Sequence, residues 1–282
     1  MKLPARALGI EFAEGRIHFV QMKRMFGPSS VTKMATLELS SATGEAEVAE
    51  RMSAFLSEKG LRCRRVVAGI PLKDAMIRVI ELPGVEEKHL RQMLEFEIER
   101  SFPISAAEAY FDYSLLEPID DRARLLVVAV ERTILERYKN LISEAGLPTM
   151  AITPAILAEI ELPALRDTDS EISALIRSNS ASTEVAVLAR RMPAGIYRFT
   201  HPNGAGSTGN NTSPEQLVSR LLSATRQACT SATGVPLPTH LVASGRSLSP
   251  EVSDELARGL GIDEVDTLGL NLGLREDETA SV

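Results

Sequence analysis

The sequence predicts an α/β protein with a duplicated core and a smaller α+β block inserted between the two copies. Its 282 residues suggest about two domains, at roughly 150 residues per domain. The same order of elements, a hairpin, a strand, a helix and a strand, is indicated at both ends of the chain, and a block of different order separates them. Hydrophobic residues make up 44% of the chain and charged residues 24%, as in globular proteins that bury their own core.

The first copy of the repeat lies in residues 1–75. An apolar run is followed by a turn at Gly15 and then by alternating apolar residues, which is typical of a β-hairpin. Farther on, Val48, Met52 and Leu56 recur at helical spacing, and Gly60 stands where a helix ends. We therefore expect, in order, a hairpin over 7–22, a strand over 31–39, a helix over 45–58 and a strand over 65–70.

The inserted block covers residues 76–153 and contains both strand and helix periodicities. Leu90, Leu94 and Ile98 form a helical apolar stripe that ends before Pro103. A turn around residue 120 separates two runs of strand-forming residues. The predicted elements are a strand over 76–82, a helix over 86–102, strands over 110–116 and 125–130, a helix over 133–144 and a short strand up to 153.

The second copy covers residues 171–282, while residues 154–170, with a helix over 154–165, complete the first copy. Pro214 and Pro250 open two helical patterns, at the position in a helix where proline is favoured. The polar stretch 201–213 predicts a flexible loop. The predicted elements are strands over 172–177, 184–190 and 194–200, a helix over 214–233, a strand over 240–243 and a helix over 250–260.

Charge and cysteine content exclude several classes of protein. The net charge is −7 and aromatic residues make up 4% with no tryptophan, which argues against nucleic acid as a partner. Cys63 and Cys229 form neither a disulfide framework nor a zinc motif, and the four histidines lack the spacing of metal ligands. The longest apolar run, 125–130, is too short to cross a bilayer. We expect a soluble cytoplasmic protein without a metal site.

The order of these elements resembles the actin-like ATPase fold, a duplicated ribonuclease H-like core. Within that fold, five segments indicate one branch: Leu8-Gly9-Ile10-Glu11, Val20-Gln21-Met22-Lys23-Arg24, the stretch from Glu95 to Ile104, the strand from Leu126 to Glu131, and Ala145-Gly146-Leu147. These segments are similar to PilM-type pilus-assembly proteins and to the cytoplasmic part of GspL-type proteins of type II secretion systems. The resemblance covers most of residues 7–270.

The resemblance implies a non-enzymatic assembly-platform protein at the cytoplasmic face of the inner membrane. Its implied partners are a PilN-like or GspM-like bitopic membrane protein, bound through a cytoplasmic segment, and the secretion or pilus assembly ATPase. Membrane association would then be peripheral and pass through these partners. Which of the two systems the protein serves stays open. It also stays open whether the chain is a fragment of a longer bitopic protein, since it ends soon after the apolar residues 268–274.

The residues that correspond to the family's nucleotide cleft depart from the ATP-binding pattern. Actin-like ATPases place an aspartate and glycines in each phosphate turn, where they order Mg²⁺ and let backbone N–H groups reach phosphate. Here the second turn has Arg177 instead of the aspartate, and an arginine cannot ligate Mg²⁺. We therefore expect a vestigial cleft without a cofactor, with an ATP-binding, nucleotide-gated protein as the alternative. The cleft positions are Glu11, Gly15, Arg177, Ser178, Asn179 and Gly245.

The second half of the chain also predicts a reduced cleft. In pilus-type relatives a further subdomain forms one wall of the adenosine pocket, between the second hairpin and the helix that follows it. In this sequence only the loop 201–213 joins those two elements. In addition, Arg246 follows the one glycine that remains in the adenosine motif.

A candidate partner-binding surface lies at the end of the helix predicted over 86–102. Glu95 and Glu99 are candidates for contacting a basic segment, against the alternative of a merely solvated face. Phe102, Pro103 and Ile104 leave the helix as an apolar corner, which is either exposed for docking or packed in the core.

Overall fold

Thirteen strands and six α-helices form in the part of the chain that the structure, a computed structural model, describes: residues 5–24, 29–40, 44–83, 87–119, 122–162, 165, 170–179, 182–201, 213–232, 235–245 and 249–267. In chain order they are β1 (Ala5–Ala13), β2 (Arg16–Arg24), β3 (Ser30–Glu38), α1 (Glu45–Glu58), β4 (Val66–Ile70), β5 (Met76–Pro83), α2 (Glu87–Ser101), β6 (Ala109–Ile119), β7 (Arg122–Glu131), α3 (Arg132–Glu144), β8 (Thr149–Pro154), α4 (Ala155–Glu159), β9 (Ile172–Ser178), β10 (Ser182–Ala189), β11 (Met192–Thr200), α5 (Pro214–Ser231), β12 (His240–Gly245), α6 (Pro250–Leu260) and β13 (Val265–Thr267).

These elements belong to two compact units. Within the described residues the first unit comprises 5–75 and 130–158, and the second comprises 76–129 and 159–267.

The first unit is built on a five-stranded sheet in the order β3-β2-β1-β4-β8. β1 and β2 form the predicted hairpin, whose tight turn requires the positive φ of 72° that Gly15 adopts. β4 runs parallel to both β1 and β8. One face of the sheet buries alternate residues such as Leu8, Ile10 and Phe19, and α1 supplies Met52 and Leu56 as further buried side chains.

The second unit contains a sheet of the same design, in the order β11-β10-β9-β12-β13. β9, β10 and β11 are antiparallel, while β12 runs parallel to both β9 and β13. Nearly every residue of β9 and β10 is buried, and the core of the sheet includes side chains from α5 and α6. The predicted duplication of the core is therefore confirmed.

The inserted α+β element is a three-stranded sheet in the order β5-β7-β6, covered by α2. The helical stripe of Leu90, Leu94 and Ile98 packs against Leu125 and Val127 of β7. α3 and β8, which the sequence pattern places in the block 76–153, are instead part of the first unit. There β8 pairs with β4 and α3 packs on α1, because periodicity identifies an element without identifying the sheet it joins.

Two further elements differ from the sequence expectation. The helix predicted over 154–165 ends at Glu159, because Pro163 has no N–H to donate to the carbonyl of Glu159 four residues earlier. Leu162 donates to that carbonyl instead, at 3.0 Å. The short strand β13 has no counterpart in the prediction, since its three residues carry no periodic signal.

Several predicted features lie outside the described residues: most of the loop 201–213, Arg246, and the apolar residues 268–274. None of the helices in the described segments combines the length and apolar character that crossing a membrane requires. Among the described side chains, no group of three or more His, Cys, Asp or Glu is arranged to hold a metal ion.

Candidate functional site

The carboxyl ends of β9 and β12 lie side by side in the second unit, because the two strands are parallel and in register. Arg177 pairs with Ser244 and Ser178 pairs with Gly245. Asn179 follows directly after β9. In open α/β sheets, ligands bind outside such carboxyl ends. The structure therefore brings four of the predicted cleft residues, Arg177, Ser178, Asn179 and Gly245, to one edge of the second sheet.

The guanidinium of Arg177 is engaged by carboxylates of the same unit. Its Nη1 lies 3.3 Å from Oε1 of Glu159, and both side chains are about four-fifths buried. Glu184 of β10 pairs in register with Arg177 and is itself buried. Burial lowers the pKa of Arg177, and the negative charge of Glu184 acts in the opposite direction and raises it. Arg177 thus already serves as the counter-ion of buried carboxyl groups at this edge.

Glu159 is the carboxyl group around which this cluster is arranged. The hydroxyl of Ser244 donates to its Oε2 at 2.6 Å. Burial raises the pKa of Glu159 to about 7, the hydrogen bond from Ser244 acts to lower it, and the charge of Glu184 raises it further. Near neutral pH this side chain is therefore poised between its protonated and ionised forms.

The turn between β9 and β10 is stabilised by the side chain of Asn179. Its Oδ1 accepts the backbone N–H of Ser182 at 2.8 Å, while the N–H of Asn179 donates to the carbonyl of Ser182 at 3.0 Å. Behind the turn, the hydroxyl of Thr183 lies 3.4 Å from Ser178 Oγ and 2.9 Å from His201 Nε2. A phosphate-binding turn offers its backbone N–H groups to the ligand. Here the N–H groups of Asn179 and Ser182 are used within the turn.

The corresponding edge of the first unit is formed by the ends of β1 and β4. Glu11 on β1 pairs in register with His18 of β2 and Gly69 of β4, and the carbonyl of Gly15 accepts the N–H of Leu39 at 2.7 Å. Glu11 and Gly15 thus lie in the first unit, whereas the other four cleft residues lie in the second.

Aromatic side chains occupy the first-unit edge beside Glu11. The ring of Phe12 is buried against that of Tyr138 from α3, with 4.9 Å between the ring centroids. The Tyr138 hydroxyl donates to Oδ2 of Asp74 at 2.5 Å, and Arg137 lies 3.6 Å from the same oxygen. Burial, reinforced by Asp74, raises the pKa of Tyr138. This edge is a packed aromatic and charged cluster rather than a glycine-lined phosphate turn.

The residues at these two edges do not fit Mg-ATP. The second-unit turn has an arginine in an internal ion pair where the fold family has an aspartate. The first-unit edge buries Phe12 where the family has small residues. An arginine cannot ligate Mg²⁺, and a phenylalanine side chain offers no group to bind phosphate.

The predicted partner-binding residues separate into a buried and an exposed set. Phe102 is only 5% exposed and belongs to the core between α2 and the small sheet, with the guanidinium of Arg78 5.6 Å from its ring centroid. Ile104 packs against the same core, whereas Pro103, Glu95 and Glu99 are exposed. The prediction that Phe102 is exposed for docking is therefore wrong. The small three-stranded sheet is covered on one face, and this large apolar side chain completes the core there.

Sequence reasoning misses several residues of these sites. Glu159 gives no local signal, because its partner Ser244 lies 85 positions away in the chain. Glu184 is hidden within an apolar strand. Phe96, in contrast, carries a signal: it falls outside the stripe of Leu90, Leu94 and Ile98, and it is 69% exposed.

Comparisons with known proteins agree with this architecture. The model of the family described as type II secretion system (T2SS), protein L, matches residues 29–186. None of the curated proteins matches the sequence. A chain of the PilM–PilN type IV pilus biogenesis complex is similar with a TM-score of 0.75 at 17% identity, covering 93% of this chain and 88% of that chain.

Two further solved structures share the fold. The cytoplasmic domain of EpsL, an inner-membrane component of the type II secretion system of Vibrio cholerae, has a TM-score of 0.53 at 15% identity, covering 90% of this chain and 94% of that domain. A protein with actin-like ATPase fold and unknown function from Bacteroides thetaiotaomicron has a TM-score of 0.55 at 11% identity, covering 93% and 90%. These likenesses confirm the actin-like fold.

Proposed function

The chain belongs to the family of type II secretion system protein L, and from this premise we propose that it is a non-enzymatic assembly-platform protein. Its proposed role is to bind a cytoplasmic segment of a membrane protein, or the assembly ATPase, at the cytoplasmic face of the inner membrane. The family match carries the proposal, since residues 29–186 are more than half of the 282-residue chain.

The membrane partner that we propose is a bitopic protein of the GspM or PilN type. One structural neighbour is a PilM–PilN complex, and another is an inner-membrane component of a secretion system. Family membership favours a secretion system over a pilus as the place of assembly. The assembly ATPase is the second proposed partner.

We also propose that the protein works without a bound nucleotide. The support comes from the contacts of three residues. Arg177 forms an ion pair with Glu159, and the side chain of Asn179 accepts a hydrogen bond within its own turn. Phe12 is buried against Tyr138. An ATPase needs carboxylates that hold Mg²⁺ and free N–H groups that hold phosphate at these places. Binding of a partner peptide needs neither.

Co-purification tests the proposed function. The tagged protein is mixed with a fusion that carries the cytoplasmic segment of the GspM- or PilN-type protein of the same organism, and the eluate is assayed for the fusion. We expect retention of this fusion and no retention of a fusion with the same residues in scrambled order. Equal recovery of the two fusions, or recovery of neither, contradicts the proposal.

A further inference from the structure

The outward side of α2 carries a surface that the fold itself does not use. The helix buries Leu90, Leu94 and Ile98 against the small sheet. At 3.6 residues per turn, Phe96 projects from the opposite side, and its 69% exposure is the highest among the large hydrophobic side chains of the described residues. Glu95 and Glu99 lie next to each other on one side of Phe96 and are exposed as well. We call Glu95, Phe96 and Glu99 the α2 surface.

Neither Glu95 nor Glu99 forms an ion pair within the part of the chain that the structure describes. Glu95 and Glu99 are four positions apart, so like charges face each other on one side of the helix, which disfavours the helix. The neighbouring cations are directed elsewhere. Arg100 pairs with Glu97 at 2.9 Å, and the guanidinium of Arg91 lies 5.0 Å from the ring centroid of Phe111.

The two carboxylates and the exposed ring indicate which side chains of a partner would bind the α2 surface. A lysine or arginine placed between Glu95 and Glu99 relieves their repulsion, and its aliphatic stem or a neighbouring apolar side chain covers the ring of Phe96. The other exposed large hydrophobic side chains of the described residues lie on strands or in a loop: Met22, Tyr110, Leu115, Met150 and Leu237. Among these exposed side chains, only Phe96 lies on a helix, next to two exposed carboxylates.

We infer that the α2 surface binds a short basic segment of the membrane partner, in which a lysine or arginine adjoins an apolar side chain. The inference rests on the proposed function, because it takes the partner to be a membrane protein. Cytoplasmic segments next to membrane-spanning helices carry an excess of Lys and Arg. Such a segment has the charge that the α2 surface lacks.

The test is fluorescence anisotropy with a labelled peptide that has the sequence of the partner's cytoplasmic segment. We expect Phe96→Ala and Glu99→Lys each to weaken binding by at least about tenfold. Glu99→Lys should also reduce the dependence of the affinity on salt. The matched controls are Leu115→Ala and Glu117→Lys, which change an exposed apolar and an exposed acidic residue of β6. Both should bind like the unchanged protein.

A charge swap makes the test specific for the ion pairs. A peptide in which one lysine or arginine is replaced by glutamate should bind the unchanged protein weakly and the Glu99→Lys variant more tightly. Thermal melts of all variants check that these surface substitutions leave the fold intact. Full affinity in Phe96→Ala and Glu99→Lys overturns the inference while the proposed function stands. Absence of binding to the unchanged protein contradicts the proposed function itself, and the inference falls with it.

Discussion

Glu159 connects two strands of the second unit, because its carboxyl group contacts both Arg177 of β9 and Ser244 of β12. Buried ion pairs add little net stability when compared with apolar packing, but loss of one partner leaves a buried charge that is costly. The raised pKa of Glu159 means that the folded chain takes up a proton at this site more readily than the unfolded chain does.

Replacing Glu159 by glutamine should change the pH dependence of stability. Because the folded-state pKa of about 7 lies above the ordinary glutamate pKa of 4.5, the stabilisation is fully present below about pH 4.5 and is lost as pH rises through 7. From this group alone, the free energy of unfolding should fall by up to about 3 kcal/mol between pH 5 and pH 8. Urea unfolding at several pH values measures the fall, which should be smaller in Glu159→Gln.

The control for this experiment is Glu171→Gln. Glu171 also pairs with an arginine, Arg190, but its side chain is 72% exposed, so its replacement should change the free energy of unfolding little. A profile that is the same in Glu159→Gln as in the unchanged protein contradicts the raised pKa.

At the first-unit edge, Tyr138→Phe removes the hydroxyl that donates to Asp74 and keeps the ring packing against Phe12. The loss of a hydrogen bond to a partly buried carboxylate should lower the free energy of unfolding by about 1–3 kcal/mol. Urea unfolding is the measurement, and Tyr113→Phe in the small sheet is the control with the same chemical change. If Tyr138→Phe lowers the free energy of unfolding no more than Tyr113→Phe does, the hydrogen bond between Tyr138 and Asp74 does not stabilise the fold.

The helices of the second unit illustrate how local sequence signals define an element. α6 begins after Ser249, whose Oγ accepts the N–H of Val252, and it has Pro250 in its first turn. It ends at Gly261, whose φ of 73° is the left-handed conformation that glycine tolerates. The residues next to each end therefore determine where this helix begins and ends.

Ser249→Ala should destabilise the protein by about 1 kcal/mol, because the first-turn N–H of Val252 loses its acceptor. Ser253→Ala, within the same helix, is the control and should cost nothing, since alanine has the higher helix propensity. The midpoint of urea unfolding followed by far-UV circular dichroism measures both. Equal effects of the two substitutions would contradict the capping role.

Sequence patterns predict most elements here because their signals are local. The limits of α1 and α6 coincide with the prediction at both ends, since each has an apolar stripe. α6 also has capping residues at both ends, and α1 is followed by Gly60 with a φ of 61°. The association of β8 with β4, the short strand β13 and the cluster around Glu159 depend on contacts between distant parts of the chain, which periodicity does not contain. Phe102 is ambiguous in sequence for the same reason, as an aromatic at a helix end fits either a core or a surface.

The duplicated fold contains two sheets of the same strand order. Different side chains lie at the carboxyl ends of their strands. One edge is packed with aromatic side chains around Phe12, and the other holds the ion pair of Arg177 with Glu159. This difference between the two edges supports the proposal that the function of this actin-like fold is partner binding without a nucleotide.

Mg-ATP should therefore leave the melting temperature of the protein unchanged. A ligand at about 1,000 times its Kd stabilises the folded state by roughly 4 kcal/mol, which would raise the melting temperature by several degrees. Thermal unfolding with and without millimolar Mg-ATP measures the difference, and Mg²⁺ with sulfate serves as the control for ionic effects. A rise seen only with Mg-ATP would instead favour nucleotide-gated assembly, with Glu11 as the first residue to replace.

Calorimetric titration of this protein with the cytoplasmic segment of its proposed membrane partner, performed with and without Mg-ATP, tests whether partner binding is independent of nucleotide. We expect saturable binding with the same dissociation constant in both conditions, because the proposed partner-binding residues Glu95, Phe96 and Glu99 are not among the residues of the two sheet edges. Binding that requires Mg-ATP would contradict this expectation. So would a titration that shows no heat of binding in either condition, if the anisotropy of the labelled segment also stays unchanged.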